Sequence, residues 1–168
     1  MSSPPVAEAS FLKNHVCVFD AVLETFRTAC SAGLTVVQPT PAGPAAGIIA
    51  SISLIGDVAW LISMGLPKDT TVGVVKQFAG FEVPFDSDEM GDAVGELANI
   101  LAGLTKANLD RMGLRADLSL PSITRGSKIK LLHIHEAPAA RRHFSSPFGQ
   151  LWVEVCDGSG VATRRPGT

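Results

Sequence analysis

The chain has 168 residues, 46% hydrophobic and 18% charged, which is long and apolar enough for one domain with a real core and too short for a second full one. Its 14 basic and 16 acidic residues nearly balance, and no basic run exceeds the pairs Arg141-Arg142 and Arg164-Arg165, so composition argues against a nucleic-acid-binding surface. The three cysteines, Cys17, Cys30 and Cys156, show no CxxC spacing and read as reduced core residues of a cytoplasmic protein, not as a disulfide framework.

The opening "MSSPPVAEASFLKN" lacks the charged start, apolar run and cleavage site of a signal peptide. Residues 6 to 31 place Phe11, Leu12, His15, Val16, Phe19, Val22, Leu23 and Phe26 at spacings of three and four, which predicts one amphipathic helix stopped by Gly33. "LTVVQPTPAGPAAG" reads as an edge strand running into a loop. The apolar tract "AAGIIASISLIGDVAWLISMGL" is broken by Asp57 and by glycines and serines, so it reads as two strands joined at Gly56-Asp57 and not as a membrane span. Pro67 suits a first helical position, and "KDTTVGVVKQFAG" supplies a short helix ending at Gly80.

A longer helix starts near "DSDEMGDA", where Asp86 or Ser87 can cap free amides, and runs to about Met112 with Gly113 as its stop. The remaining segments, "LRADLSLPSITRG", "SKIKLLHIHEA", "RRHFSS" and "GQLWVEVCDG", read as three or four strands. This order predicts an α+β fold, a two-layer sandwich with helices packed on one face of a largely antiparallel sheet. Residues 1–157 are expected to form a single domain and 158–168 a disordered tail.

The long helix carries the chemistry. With each residue turned about 100° from the last, Met90, Val94, Leu97, Leu101 and Leu104 form one inward stripe, while Asp92, Glu96, Asn99 and Gly103 fall on the opposite side. Glu96 and Asn99, three apart, can act together on one external group. Polar residues on a helix exterior are ordinary. The glycines are not, because each costs a helix interior about 1 kcal/mol relative to alanine. Gly103 leaves bare backbone one turn beyond Asn99, open to another molecule; Gly91 and Gly95 on the flank suit either such an approach or close packing of a neighbouring helix, two uses that the sequence does not separate.

These residues resemble the CheX and CheC chemotaxis phosphatases, whose signature is an acidic residue, a Gly-Glu pair, an Asn three after the Glu and a following Gly on a long helix. Here these correspond to Asp92, Gly95-Glu96, Asn99 and Gly103, and "LSLPSITRG" is similar to the family's next strand at Pro121, Ile123 and Gly126. A single copy of the helix makes the chain CheX-like. The resemblance implies a homodimer that dephosphorylates the aspartyl phosphate of a CheY-like response regulator, with Glu96 engaging the receiver's lysine and Asp92 and Gly103 contacting the partner. Such a receiver already holds its phosphoryl group with its own Mg²⁺ and lysine, so hydrolysis lacks mainly a water held in line. Asn99 suits that task, because an amide donates and accepts without bringing negative charge to an anion. No cofactor or metal bound by this chain is expected. A non-catalytic CheX-like dimerisation or docking module would use the same fold, but it gives no physical reason to keep Glu96 and Asn99 beside Gly103.

Other motifs carry less. His133 and His135 would share a strand face, followed by Glu136 and, on the next strand, His143, a spacing that can hold a metal. With no Cys or carboxylate at ligand spacing on that face, they read as ordinary sheet histidines. No G-x-S-x-G, GxGxxG or P-loop occurs, and Trp60 and Trp152 are expected in the core.

Overall fold

In the computed structural model, residues 6–39, 46–129, 131 and 137–158 are described, with side chains from Ser10 onward. The helices among them are α1 (Val6–Asn14), α2 (Val16–Ala29), α3 (Lys68–Ala79) and α4 (Asp88–Arg111). The strands are β1 (Thr35–Val37), β2 (Gly47–Gly56), β3 (Ala59–Pro67), β4 (Ala116–Leu118), β5 (Ser122–Gly126), β6 (Ala139–Ser146) and β7 (Gly149–Asp157). The chain is therefore α+β, as its order of elements predicts. The strands form one antiparallel sheet in the order β1-β6-β7-β3-β2, and both β4 and β5 pair with the outer edge of β2.

Strand alternation explains where the core lies. Ile48, Ala50, Ile52 and Leu54 of β2 and Trp60, Ile62, Met64 and Leu66 of β3 are all buried and join one cluster with Phe19, Val22 and Phe26 of α2 and the inner stripe of α4. Period two on the strands thus meets period 3.6 on the helices in one apolar layer. The buried threonines of that layer hold their hydroxyls on local carbonyls: Thr25 Oγ1 donates to Ala21 O at 2.7 Å and Thr105 Oγ1 to Leu101 O at 2.9 Å. Asn108 Nδ2 donates to Cys17 O at 3.1 Å, tying α4 to α2. All three cysteines are free and buried, and burial pushes the Cys17 and Cys30 thiols up to about 11.

Four details differ from the expectations. The first helix is broken at His15, where the Val18 N–H reaches back only three residues, to His15 O at 3.1 Å. Its second half ends at Ala29, and the left-handed residue is Ser31 (φ 49°) instead of Gly33, with Ala32 N–H donating to Phe26 O at 3.0 Å. Pro67 closes β3 and sits one residue before α3 begins, so it is the cap and not the first helical residue. Trp60 is core, but Trp152 alternates with the core residues Leu151 and Val153 and lies on the sheet face away from the helices. Its ring covers Gly65, where a Cβ would come within 2.1 Å, and Arg141 lies over it at 4.2 Å while donating to Glu154 Oε2 at 2.8 Å.

The hairpin joined at Gly56-Asp57, the short helix ending at left-handed Gly80 and the edge position of β1 are all observed. His133, His135, Glu136 and residues 159–168 lie outside the described residues, while His143 pairs with Trp152 in the sheet. Among the described residues no group of three His, Cys, Asp or Glu side chains could hold a metal ion, and no helix is long and apolar enough to cross a membrane.

Candidate functional site

The long helix begins and ends as its sequence chemistry dictates. Ser87, not Asp86, is the N-cap: its Oγ accepts the Met90 N–H at 3.3 Å and donates to Pro84 O at 2.9 Å. Asp88 and Glu89 place negative charge at the positive end of the helix dipole, and the Glu89 carboxyl is held below its usual range by its own backbone amide and the Ser87 hydroxyl. At the other end, Gly113 N–H donates to Asp110 O at 3.0 Å and Leu114 N–H to Leu109 O at 2.9 Å. With Gly113 at φ 78°, this is a Schellman ending.

Between these ends the helix is divided lengthwise. Met90, Val94, Leu97 and Leu101 are buried and Leu104 packs partly against the core. Asp92, Glu96 and Asn99 are exposed on the other side. Asn99 Nδ2 donates to Glu96 Oε2 at 3.2 Å, so the two side chains predicted to work together do meet.

The outer face of α4 borders a groove of about 710 Å³. Asp88, Asp92, Glu96 and Asn99 line it on the helix side, and Pro121, Ile123 and Arg125 on the β5 side. Gly91 and Gly95 face Ile123 across it; a Cβ at Gly95 would lie 3.7 Å from Ile123 and 3.8 Å from Pro121. Their neighbour is thus the edge strand β5 and not a helix, whose packing is one of the two uses the sequence leaves open, and those distances are ordinary contacts, so packing alone would admit alanine. Without the two methyl groups the groove stays wider. Gly103 has nothing within 4 Å of a Cβ position, and it lies beyond the groove walls.

Arg125 is the wall residue that sequence reasoning passed over. Its Nη1 donates to Phe85 O at 3.0 Å and to Ser87 O at 2.6 Å, clamping β5 to the start of α4. The signal was present in "PSITRG": counting by twos from Pro121 puts residues 121, 123 and 125 on one strand face. What the spacing does not show is that this face meets the first turn of α4.

The arrangement offers a hydrogen-bonded carboxylate and amide beside an open groove with one acidic and one largely apolar wall. A family model described as chemotaxis phosphatase CheX matches residues 48–145, a span holding both walls. The chain belongs to the CheX family. Solved CheX structures carry the same fold: that of Desulfovibrio desulfuricans is 24% identical, with 86% of this chain and 99% of the other covered at a TM-score of 0.75. CheX from Vibrio vulnificus is 22% identical, covering 90% of this chain and 99% of its own at a TM-score of 0.76. A third CheX, from Borrelia burgdorferi, was solved in complex with CheY, BeF3 and Mg²⁺; it is 21% identical over 86% of this chain and 96% of the other, with a TM-score of 0.67. None of the curated proteins matches the sequence.

Proposed function

We propose that this chain hydrolyses the aspartyl phosphate of a CheY-like receiver domain, with Asn99 positioning the attacking water and Glu96 anchoring the receiver's lysine. The observation that carries the reading is the Glu96–Asn99 pair, joined at 3.2 Å on the exposed face of α4 at the groove wall. Membership of the CheX family and the fold shared with a CheX crystallised on CheY support it.

In this mechanism the receiver brings its own Mg²⁺ and lysine, and this chain supplies no metal. Docking draws the Glu96 carboxylate onto the receiver's ammonium group, which would release the Asn99 amide from Glu96. The freed amide then holds a water by one donor and one acceptor, opposite the leaving carboxylate. Water attacks phosphorus, the P–O bond to the receiver aspartate breaks, and inorganic phosphate and free aspartate result. Asp92 and Gly103 flank this contact, Gly103 by offering bare backbone to the approaching surface. The active species is proposed to be a homodimer, which light scattering would check.

The test is phosphate release from CheY-like receivers phosphorylated with acetyl phosphate in Mg²⁺. Wild type should accelerate loss well above receiver autohydrolysis. Asn99→Ala should lower kcat on the order of a hundredfold, and Glu96→Lys should chiefly weaken receiver binding by setting like charges opposite each other. An Asn99→Ala protein as fast as wild type would remove the assigned mechanism.

A further inference from the structure

The outer edge of β2 is covered by two short strands that do not run on directly. Leu118 of β4 pairs with Leu54 and Ser122 of β5 with Ser51. The outer chain therefore takes four steps, 118 to 122, where β2 takes three, 54 to 51. One residue is in excess, which makes the junction a β-bulge.

The bulge is locked. Ser119 N–H donates to Ser53 O at 2.9 Å, and its Oγ accepts the Ser53 N–H at 2.9 Å. The same Oγ lies 2.9 Å from Leu120 O, to which it donates. On the other side of Leu120 stands Pro121, a wall of the groove with a ring-fixed φ. Leu120 itself is 89% exposed, more than any other large hydrophobic residue among those described. Single exposed leucines are common on protein surfaces. This one differs in being held out by a braced backbone next to Pro121, a wall of the candidate site, and in staying 89% exposed among the described residues.

Across the groove the α4 wall is acidic, with Asp88, Asp92 and Glu96 recurring every fourth residue, while the other wall presents Pro121 and Ile123, with Arg125 engaged on the Phe85 and Ser87 carbonyls, and Leu120 stands next to Pro121 just outside the lining. A partner that satisfies both walls must offer a cation to the helix and an apolar side chain to the bulge. We infer that Leu120 is an apolar contact for the phosphorylated receiver, which together with the acidic wall admits the receiver's active-site face in one orientation; this rests on the phosphatase reading above. Leu120 touches the partner and not the reacting atoms, so its contribution appears in binding.

The experiment measures steady-state phosphate release over a range of phosphorylated-receiver concentrations for wild type, Leu120→Ser, Leu120→Met and Val36→Ser. Val36 is an exposed apolar residue on β1, the strand at the opposite edge of the sheet, and serves as the comparison. Losing a buried leucine contact should raise KM roughly tenfold in Leu120→Ser with kcat kept. Leu120→Met restores the apolar area and should keep the wild-type KM, as should Val36→Ser. An unchanged KM in Leu120→Ser, beside an active wild type, overturns the contact and leaves the phosphatase reading standing. An equal rise in Val36→Ser overturns it as well, because the effect would not be local. If wild type accelerates no receiver, the reading and the contact fall together.

Discussion

The two faces of α4 are built to opposite rules. On the inner face Met90, Val94, Leu97 and Leu101 are almost fully buried in the core cluster. On the outer face Asn99 donates to Glu96, and among the described residues nothing lies within 4 Å of a Cβ at Gly103. The inner face is explained by the fold, since removing its atoms leaves a cavity. The outer face is not, because alanine at Gly103 would meet nothing and would favour the helix. A helix that is optimised on one side and suboptimal on the other indicates that something outside the chain sets the second side.

That contrast can be broken by substitution on each face. The largest effect on stability is expected from Leu97→Ala, which should lower the unfolding free energy by about 2–5 kcal/mol through lost transfer energy and a residual cavity. Urea denaturation measures it, and phosphatase activity per folded molecule should be largely kept. Asn99→Ala should reverse the pattern: its urea midpoint stays within about 0.5 kcal/mol of wild type, as for an exposed site, while kcat falls on the order of a hundredfold. Were its stability to fall as far as that of Leu97→Ala, the division between the faces would be wrong. Gly103→Ala is the smallest and most pointed change. It should raise stability by about 0.5–1 kcal/mol, visible as a melting temperature a few degrees higher, while raising KM for the phosphorylated receiver. A variant both more stable and equally active would leave Gly103 without a function.

Much of this was legible in the residue order. The α4 boundaries followed from Ser87 and Gly113, the hairpin from Gly56-Asp57, and the inward and outward stripes from a period of 3.6. Local misreadings arose where the backbone chose among residues of similar chemistry. Ser31 took the left-handed position that Gly33 would accept more readily, and His15 ended one helix and began the next. Trp152 falls within a strand-like segment and so reads as core, whereas strand alternation sets it over Gly65 on the far face.

The candidate site divides in the same way. Glu96 and Asn99 share a helix, so their spacing alone determines that they can meet, because the geometry between residues i and i+3 needs no other part of the chain. The facing wall could not be found like that. Pro121, Ile123 and Arg125 reach the groove only because β5 pairs with β2 in one register and β2 lies beneath α4. The exposure of Leu120 depends on a surplus residue that can be counted only against Leu54 and Ser51. Sequence by itself thus determined the helix, its two faces and the polar pair, all consequences of local periodicity. Tertiary structure decided what stands opposite that pair and where the groove opens, since these follow from pairings between segments far apart in the chain, whose register no local spacing encodes.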